Sequence, residues 1–332
     1  MMKKWLYFVM LLVVASSCKK QEEHRFSGYI FGTYYTVTYS GKENATLQGE
    51  VNAALCAIND EFSVFDSASV VSRLNRGEEI SPLPEDLIRV LELSLNTSRQ
   101  TEGAFDITAG PLIRFWGFSP GEAEQNHDTL RVLDSLRQMV GYQKISIENG
   151  HLVKSDPRIQ LDFNAIAKGY AVDKVAELLE QRGIQNYVVD IGGEVRTHGE
   201  KSSGQAWRVG IQIPTETRDG LVESDYIFEM GGKSIATSGN YRNYKEINGQ
   251  RVSHIINPST GYAEASPLLS VSVIAGDCAS ADAYATAFMV LGIEKSMKVL
   301  EHHPELAAHF IYYENGQYQF QQTGNFPAKI QK

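Results

Sequence analysis

The chain has few cysteines, no glycine-rich dinucleotide fingerprint, no basic run and no apolar run long enough to cross a bilayer. Only Cys18, Cys56 and Cys278 occur in 332 residues. With Cys18 assigned to an export segment below, the spacing of the other two imposes no disulfide. Both read as structural, Cys56 as a small buried residue of the helical stretch Val51–Ile58 and Cys278 one turn before another helix. Gly-x-Gly-x-x-Gly is missing, so a Rossmann-type dinucleotide site has no support. A net charge of −9 without clustered Lys and Arg excludes a nucleic-acid surface, whose affinity comes mostly from phosphate neutralisation. The apolar stretch Trp5–Val14 falls short of the roughly 20 residues a membrane span needs.

What is present is an ordinary globular composition, 42% hydrophobic and 21% charged, long enough for a sizeable core in one large domain or two lobes. Lys3-Lys4, the apolar Trp5–Val14 and Ala15-Ser16-Ser17-Cys18 look like a bacterial lipoprotein signal whose Cys18 becomes the lipidated terminus. A conventional secretory peptide with an incidental cysteine is the alternative. The expected division is residues 1–17 as signal, 18–27 as lipidated cysteine and charged tether, and 28–332 as one domain in the bacterial cell envelope, anchored on the periplasmic side of the inner membrane.

Strand-like alternation covers Tyr29–Tyr39, and helical periodicity covers Leu47–Phe62 and Glu85–Thr101. A further helix is expected over Asp128–Val140, with Asp128 as its cap. Lys144–Ser155 reads as a hairpin around Asn149-Gly150. A strand at Ile159–Phe163 precedes a helix stopped by Gly183. Strands at Asn186–Ile191, Trp207–Ile213 and Leu268–Ala275 are followed by helices over Ala281–His302 and a hairpin turning at Asn315-Gly316. Runs of strands broken by single helices favour α+β over a doubly wound parallel sheet.

Two segments carry chemistry. Asp282 and Thr286, four apart in an alanine-rich helix, place a carboxylate and a hydroxyl on one face, oxygen ligands of the kind Mg²⁺ accepts together with phosphate. Upstream, Leu161–Asp173 gathers Asp162, Lys168 and Gly169 at the start of a helix. The plainer readings stay open. An Asp near a helix start complements the dipole, a helical Thr can bond back one turn, and Lys168 can be a solvated lysine.

The pattern of blocks resembles the ApbE family, the FAD:protein FMN transferases, from about Gly28 to about Gly292. The blocks are Phe31–Val37, Phe62-Ser-Val-Phe65 with Ser72-Arg-Leu-Asn75, Gly103–Thr108 leading to Pro111-Leu112 and Phe115–Phe118, and Leu161–Asp173. Asp190-Ile-Gly-Gly193, Ala236–Gly239, His254–Gly261 and Cys278–Phe288 follow in family order. The resemblance implies two α/β lobes with mixed or antiparallel sheets and the dinucleotide in the cleft between them. It also implies transfer of FMN from FAD to a threonine of an acceptor flavoprotein, with AMP released. Mg²⁺ is the implied cofactor, with Mn²⁺ as its alternative. The implied partners are subunits of membrane redox complexes of the Na⁺-translocating quinone reductase or electron-transport complex type. A Mg²⁺-dependent FAD pyrophosphatase and a non-catalytic flavin-binding lipoprotein are the competing readings.

By the same resemblance, Asp282, Thr286 and the carbonyl of Ala165 hold the metal. Phe31, Phe65, Ala104, Phe105, Asp106, Asp162, Lys168 and Ile255 bind the flavin nucleotide, and His254 takes the threonine proton. Chemistry agrees with these roles, since aromatic faces pack on flavin or adenine, lysine counters phosphate and histidine accepts a proton near neutral pH. Core packing is the plainer role for Phe65 and Phe105, a structural role for His254, and tight turns for Gly192-Gly193 and Ser238-Gly239. The chain departs from the common pattern at Phe31 for Met, Phe65 for Tyr, Asn164 for Gly and Asn257 for Asp, the last removing a charge close to His254.

Overall fold

The computed structural model describes residues 22–118, 129–213, 226–240, 244–247, 250–263 and 267–330. The expected signal segment and Cys18 lie outside these, as does Asp128. Tyr29–Tyr39 contains strand, but as parts of two strands. β1 (Glu22–Ile30) and β2 (Thr33–Gly41) pair antiparallel without a break, from Glu22 opposite Gly41 to Ile30 opposite Thr33. Phe31-Gly32 is the two-residue loop, with φ of 52° and 73°. Positive φ at both positions is the turn whose twist matches the strands it joins. Phe31 holds there a conformation that bulky side chains rarely adopt.

The chain continues through α1 (Leu47–Phe62), α2 (Val70–Asn75), α3 (Glu85–Gln100), α4 (Gly110–Phe115), α5 (Thr129–Arg137) and the hairpin of β3 (Ile145–Glu148) and β4 (His151–Lys154). Then come α6 (Ala167–Gln181), β5 (Tyr187–Ile191), β6 (Glu194–His198), the hairpin of β7 (Trp207–Ile211) and β8 (Tyr226–Met230), and β9 (Ser234–Gly239). The hairpin of β10 (Tyr244–Ile247) and β11 (Gln250–Ser253), β12 (Leu268–Ala275), α7 (Cys278–His302), β13 (Ala307–Glu314) and β14 (Gln317–Gln322) complete it.

Eight strands form one sheet in the order β1-β2-β5-β6-β9-β12-β13-β14. Every neighbouring pair is antiparallel, so of the two expected sheet types the antiparallel one is found, and the fold is α+β. The two-residue period sorts side chains between two cores. Val37, Val189, Ala236 and Val273 enter the main core beneath α1, α6 and α7, while Val188, Ile235 and Ile274 enter a second core with Phe228 and Phe326. A small third cluster joins Leu112 and Phe115 of α4 to Leu133 of α5 and to Ile256.

Several expectations need correction. Glu22–Arg25 belongs to β1 rather than to a tether. Ile159–Phe163 is not a strand, because its backbone is satisfied elsewhere: the Asn75 amide bonds both N–H and C=O of Leu161, and Asp162 N donates to Ile107 O at 2.7 Å. The helix expected over Asp128–Val140 is described only as Thr129–Arg137, and the strand at Trp207 ends at Ile211. The helices expected over Ala281–His302 are found in α7, as two helical runs that meet at a kink at Gly292, where φ is 71°. Cys56 is exposed, Cys278 is buried, and both are free. No helix of the described residues is long and apolar enough to cross a membrane.

Candidate active site

A cavity of about 1300 Å³ opens where the Phe31-Gly32 turn, the end of α1, the 104–109 loop, the start of α6, the β5–β6 turn, β9 and α7 converge. All twelve cleft residues expected from the sequence line it, from Phe31 and Phe65 to Asp282 and Thr286. The volume exceeds the roughly 300–1,000 Å³ usual for a small-molecule pocket and leaves room for a dinucleotide.

Its charged end is built by two crossing helices. Lys168 and Gly169 lie in the first turn of α6, and a Cβ on Gly169 would stand 2.3 Å from Cys278 O and 2.9 Å from the Ala279 Cα. Only glycine allows that approach. The close contact is therefore with the backbone of α7, and it brings Gly169 N to 3.1 Å from Asp282 Oδ2 as a donor. Asp173, one turn further along α6, accepts from the N–H of Cys278 and of Ala279 at 2.9 Å and pairs with Arg196 at 2.7 Å. On α7 the buried Asp282 and, four residues on, Thr286 both face the cavity, and Ser238 of β9 meets the Thr286 hydroxyl at 3.0 Å.

Lys168 is not a solvated lysine. Its ammonium is bonded to Glu194 Oε1 and stands 4.0 Å from Asp282 Oδ2. Burial opposes its charge, but the two carboxylates outweigh that and raise its pKa. Glu194 is 3% exposed, and burial pushes its carboxyl up to about 7 against the pull of Lys168. Its Oε2 is buried without a hydrogen-bond partner. The sequence reading missed Glu194; the available signal was a carboxylate directly after Gly192-Gly193 in a block already singled out. It also missed Arg208 of β7, which lines the cavity and pairs with Glu229 at 3.4 Å.

The other wall is aromatic. Phe65 is 66% exposed, so core packing does not explain it, whereas Phe105 is buried and reaches the cavity from the core. The loop carrying Phe65 is fixed through Ser63, whose Oγ accepts from the N–H of Phe65 and Asp66 and whose carbonyl accepts from the hydroxyls of Ser69 and Ser72. Both oxygens of Asp106 are engaged by protein donors, one within its own loop and one from Tyr142. Oδ1 accepts from the Thr108 N–H and hydroxyl at 2.8 and 2.6 Å, and Oδ2 accepts from Tyr142 N at 2.7 Å. Burial raises the Asp106 pKa, which these hydrogen bonds partly offset. Asp162 is buried and holds Asn164 N at 2.9 Å, shaping the turn that presents Ala165.

His254 follows β11 and lines the cavity, its ring 6.2 Å from that of Phe118. Behind it, Asn257 Oδ1 accepts from Ser259 N at 2.9 Å and Thr260 N at 3.3 Å, and Trp116 Nε1 donates to Gly261 O at 2.8 Å. The Asn257 oxygen performs turn work open equally to Asp or Asn.

No group of three or more His, Cys, Asp or Glu side chains placed to hold a metal occurs among the described residues. The expected ligands comprise one carboxylate, one hydroxyl and one backbone carbonyl, a set such a group would not contain. Their fit to a hard cation rests on a shortage of positive charge: two buried carboxylates share one ammonium, and Glu194 Oε2 is left without a donor.

A cleft of this kind in an antiparallel α+β frame is the build of an enzyme acting on a large ligand. Residues 31–310 match the ApbE family. The chain is 37% identical to the FAD:protein FMN transferase of Vibrio cholerae over 307 residues, 90% of this chain and 91% of that protein. It is 35% identical to the protein of the same name from Escherichia coli K12, covering 82% and 80% of the two chains. Among solved structures, the flavin transferase ApbE from V. cholerae superposes with a TM-score of 0.83 at 34% identity, covering 92% of this chain and 98% of that one. The apo flavinyl transferase ApbE from Pseudomonas stutzeri also gives 0.83 at 34%, covering 92% and 96%. The chain belongs to the ApbE family and is a transferase.

Proposed function

We propose that this chain transfers FMN from FAD to a threonine hydroxyl of an acceptor flavoprotein and releases AMP. The observation that carries this reading is the cluster of Lys168, Glu194, Asp282 and Thr286 at one end of a cavity whose other wall bears Phe31 and the exposed Phe65. In this reading the isoalloxazine or adenine ring packs on those aromatic faces, and Lys168 neutralises a pyrophosphate oxygen. The threonine oxygen attacks the FMN phosphorus, the bond from that phosphorus to the bridging oxygen breaks, and AMP leaves with that oxygen. His254 takes the hydroxyl proton. Asp282, Thr286 and the Ala165 carbonyl would hold Mg²⁺ or Mn²⁺, which supplies charge neutralisation to the pyrophosphate. The chain's own part is positioning: Gly169 and Asp173 set α6 against α7, and Ser238 orients Thr286.

Lipid attachment at Cys18 and a place in the cell envelope belong to the same proposal. So do acceptors from membrane redox complexes of the Na⁺-translocating quinone reductase or electron-transport type.

The test is mass spectrometry of a threonine-bearing acceptor domain incubated with the protein, FAD and Mg²⁺. A mass gain equal to FMN less water, with AMP released, is the expected result. AMP and free FMN without an adduct would replace the transferase reading by a pyrophosphatase. Intact FAD, with acceptor domains of both complex types tried, would leave a flavin-binding protein.

A further inference from the structure

At the charged end of the cleft the single ammonium is shared unequally between two carboxylates. Lys168 is hydrogen-bonded to Glu194 but lies 4.0 Å from Asp282 Oδ2, beyond hydrogen-bond range. Its neighbour Gly169 already donates to that same Asp282 oxygen, so the lysine stem starts beside the carboxylate and would reach it readily if released. The pull away from Asp282 comes from Glu194, 26 residues distant in sequence and fixed by the pairing of β6 between β5 and β9. Glu194 holds this position with its second oxygen buried and without a partner. Such an oxygen costs stability, so protein stability alone does not account for the arrangement.

We propose that Glu194 is a positioning residue that tethers Lys168 off Asp282, keeping the Asp282 carboxylate open to a divalent cation. The inference rests on the metal reading of Asp282 and Thr286 given above. Without the tether the ammonium closes onto Asp282, and a cation must displace it before it can bind. Lys168 is then a competitor of the metal instead of its neighbour at the pyrophosphate.

The probe is Mn²⁺ alone, titrated into the full chain in detergent and followed by the paramagnetic resonance of free Mn²⁺. Glu194→Gln is expected to weaken Mn²⁺ binding about tenfold, whereas in a Lys168→Met background the same change should shift it less than about twofold. That non-additivity separates a tether from a plain charge, because a carboxylate acting on the ion directly would cost the same in both backgrounds. Glu194→Asp keeps the charge but withdraws it by one methylene. It should weaken binding only when Lys168 is present, and it serves if Glu194→Gln fails to fold. Equal losses in both backgrounds, or no loss in either, would overturn the tether while leaving the metal reading intact. Wild-type protein that binds no Mn²⁺, or binds it equally after Asp282→Ala, would overturn the metal reading and this inference with it.

Discussion

Asp173 caps a helix to which it does not belong: its carboxylate accepts the N–H of Cys278, the first residue of α7, at 2.9 Å, while the capping residue of α7 itself, Asp277, serves Ser280. The same carboxylate carries Arg196 at 2.7 Å. Asp173→Ala leaves two helix-end donors unpaired and strips Arg196 of the nearer of its two carboxylates, keeping only Glu180 at 3.7 Å. A loss of about 3 kcal/mol or more in chemical denaturation is expected. A loss below about 1 kcal/mol would mean that the cap does not hold α7.

Phe65 offers the opposite case. Its side chain is exposed, and its loop is fixed by backbone bonds to Ser63 that a substitution leaves in place. Phe65→Ser is expected to change stability by less than about 0.5 kcal/mol and to weaken FAD binding about tenfold, read by flavin fluorescence titration. Unchanged FAD affinity would remove Phe65 from the binding wall.

His254→Ala is expected to slow FMN transfer about 100-fold or more while changing FAD affinity far less, the mark of a proton acceptor rather than a binding group. Single-turnover kinetics with bound FAD separates the two effects. Weaker FAD binding with unchanged turnover of the bound fraction would give the proton to another group.

Much of the frame was legible because it depends on local periodicity. Val51, Leu55, Ile58 and Phe62 of α1 form the stripe a helix buries, and Asn149-Gly150 and Asn315-Gly316 mark their hairpins. Cys56 was misread because it follows Leu55 by one residue, about 100° round the helix from the buried stripe. Phe31-Gly32 lacks the usual Asn-Gly of its turn, so two strands read as one. Ile159–Phe163 has strand composition, but Asn75 satisfies it from 86 residues away in sequence, a partner no window could include. The cleft residues were legible through the family blocks. Glu194 was not, since its meaning comes from Lys168 of α6, 26 residues away in sequence.

His309 gives a pH dependence unrelated to the cleft. It is 1% exposed, both ring nitrogens lack partners, and it lies against Tyr226, Phe320 and Phe326. Burial pushes its pKa down to about 4, so the unfolded chain takes up the proton first. Stability is then complete above about pH 6.5 and falls as pH drops towards about 4, by about 3 kcal/mol in all. His309→Phe should flatten this part of the acid profile in urea melts recorded from pH 7 to pH 4. An unchanged profile would assign the acid loss to other groups.

The contact at Gly169 also has a genetic reading. A side chain there would strike Cys278 O and the Ala279 Cα, atoms that every amino acid carries. No second mutation on α7 can clear space by shrinking a side chain. Revertants of a Gly169→Ala allele should therefore be restorations of glycine, whereas damage at Phe65 or Arg208, whose partners are side chains or ligand, leaves room for suppressors elsewhere.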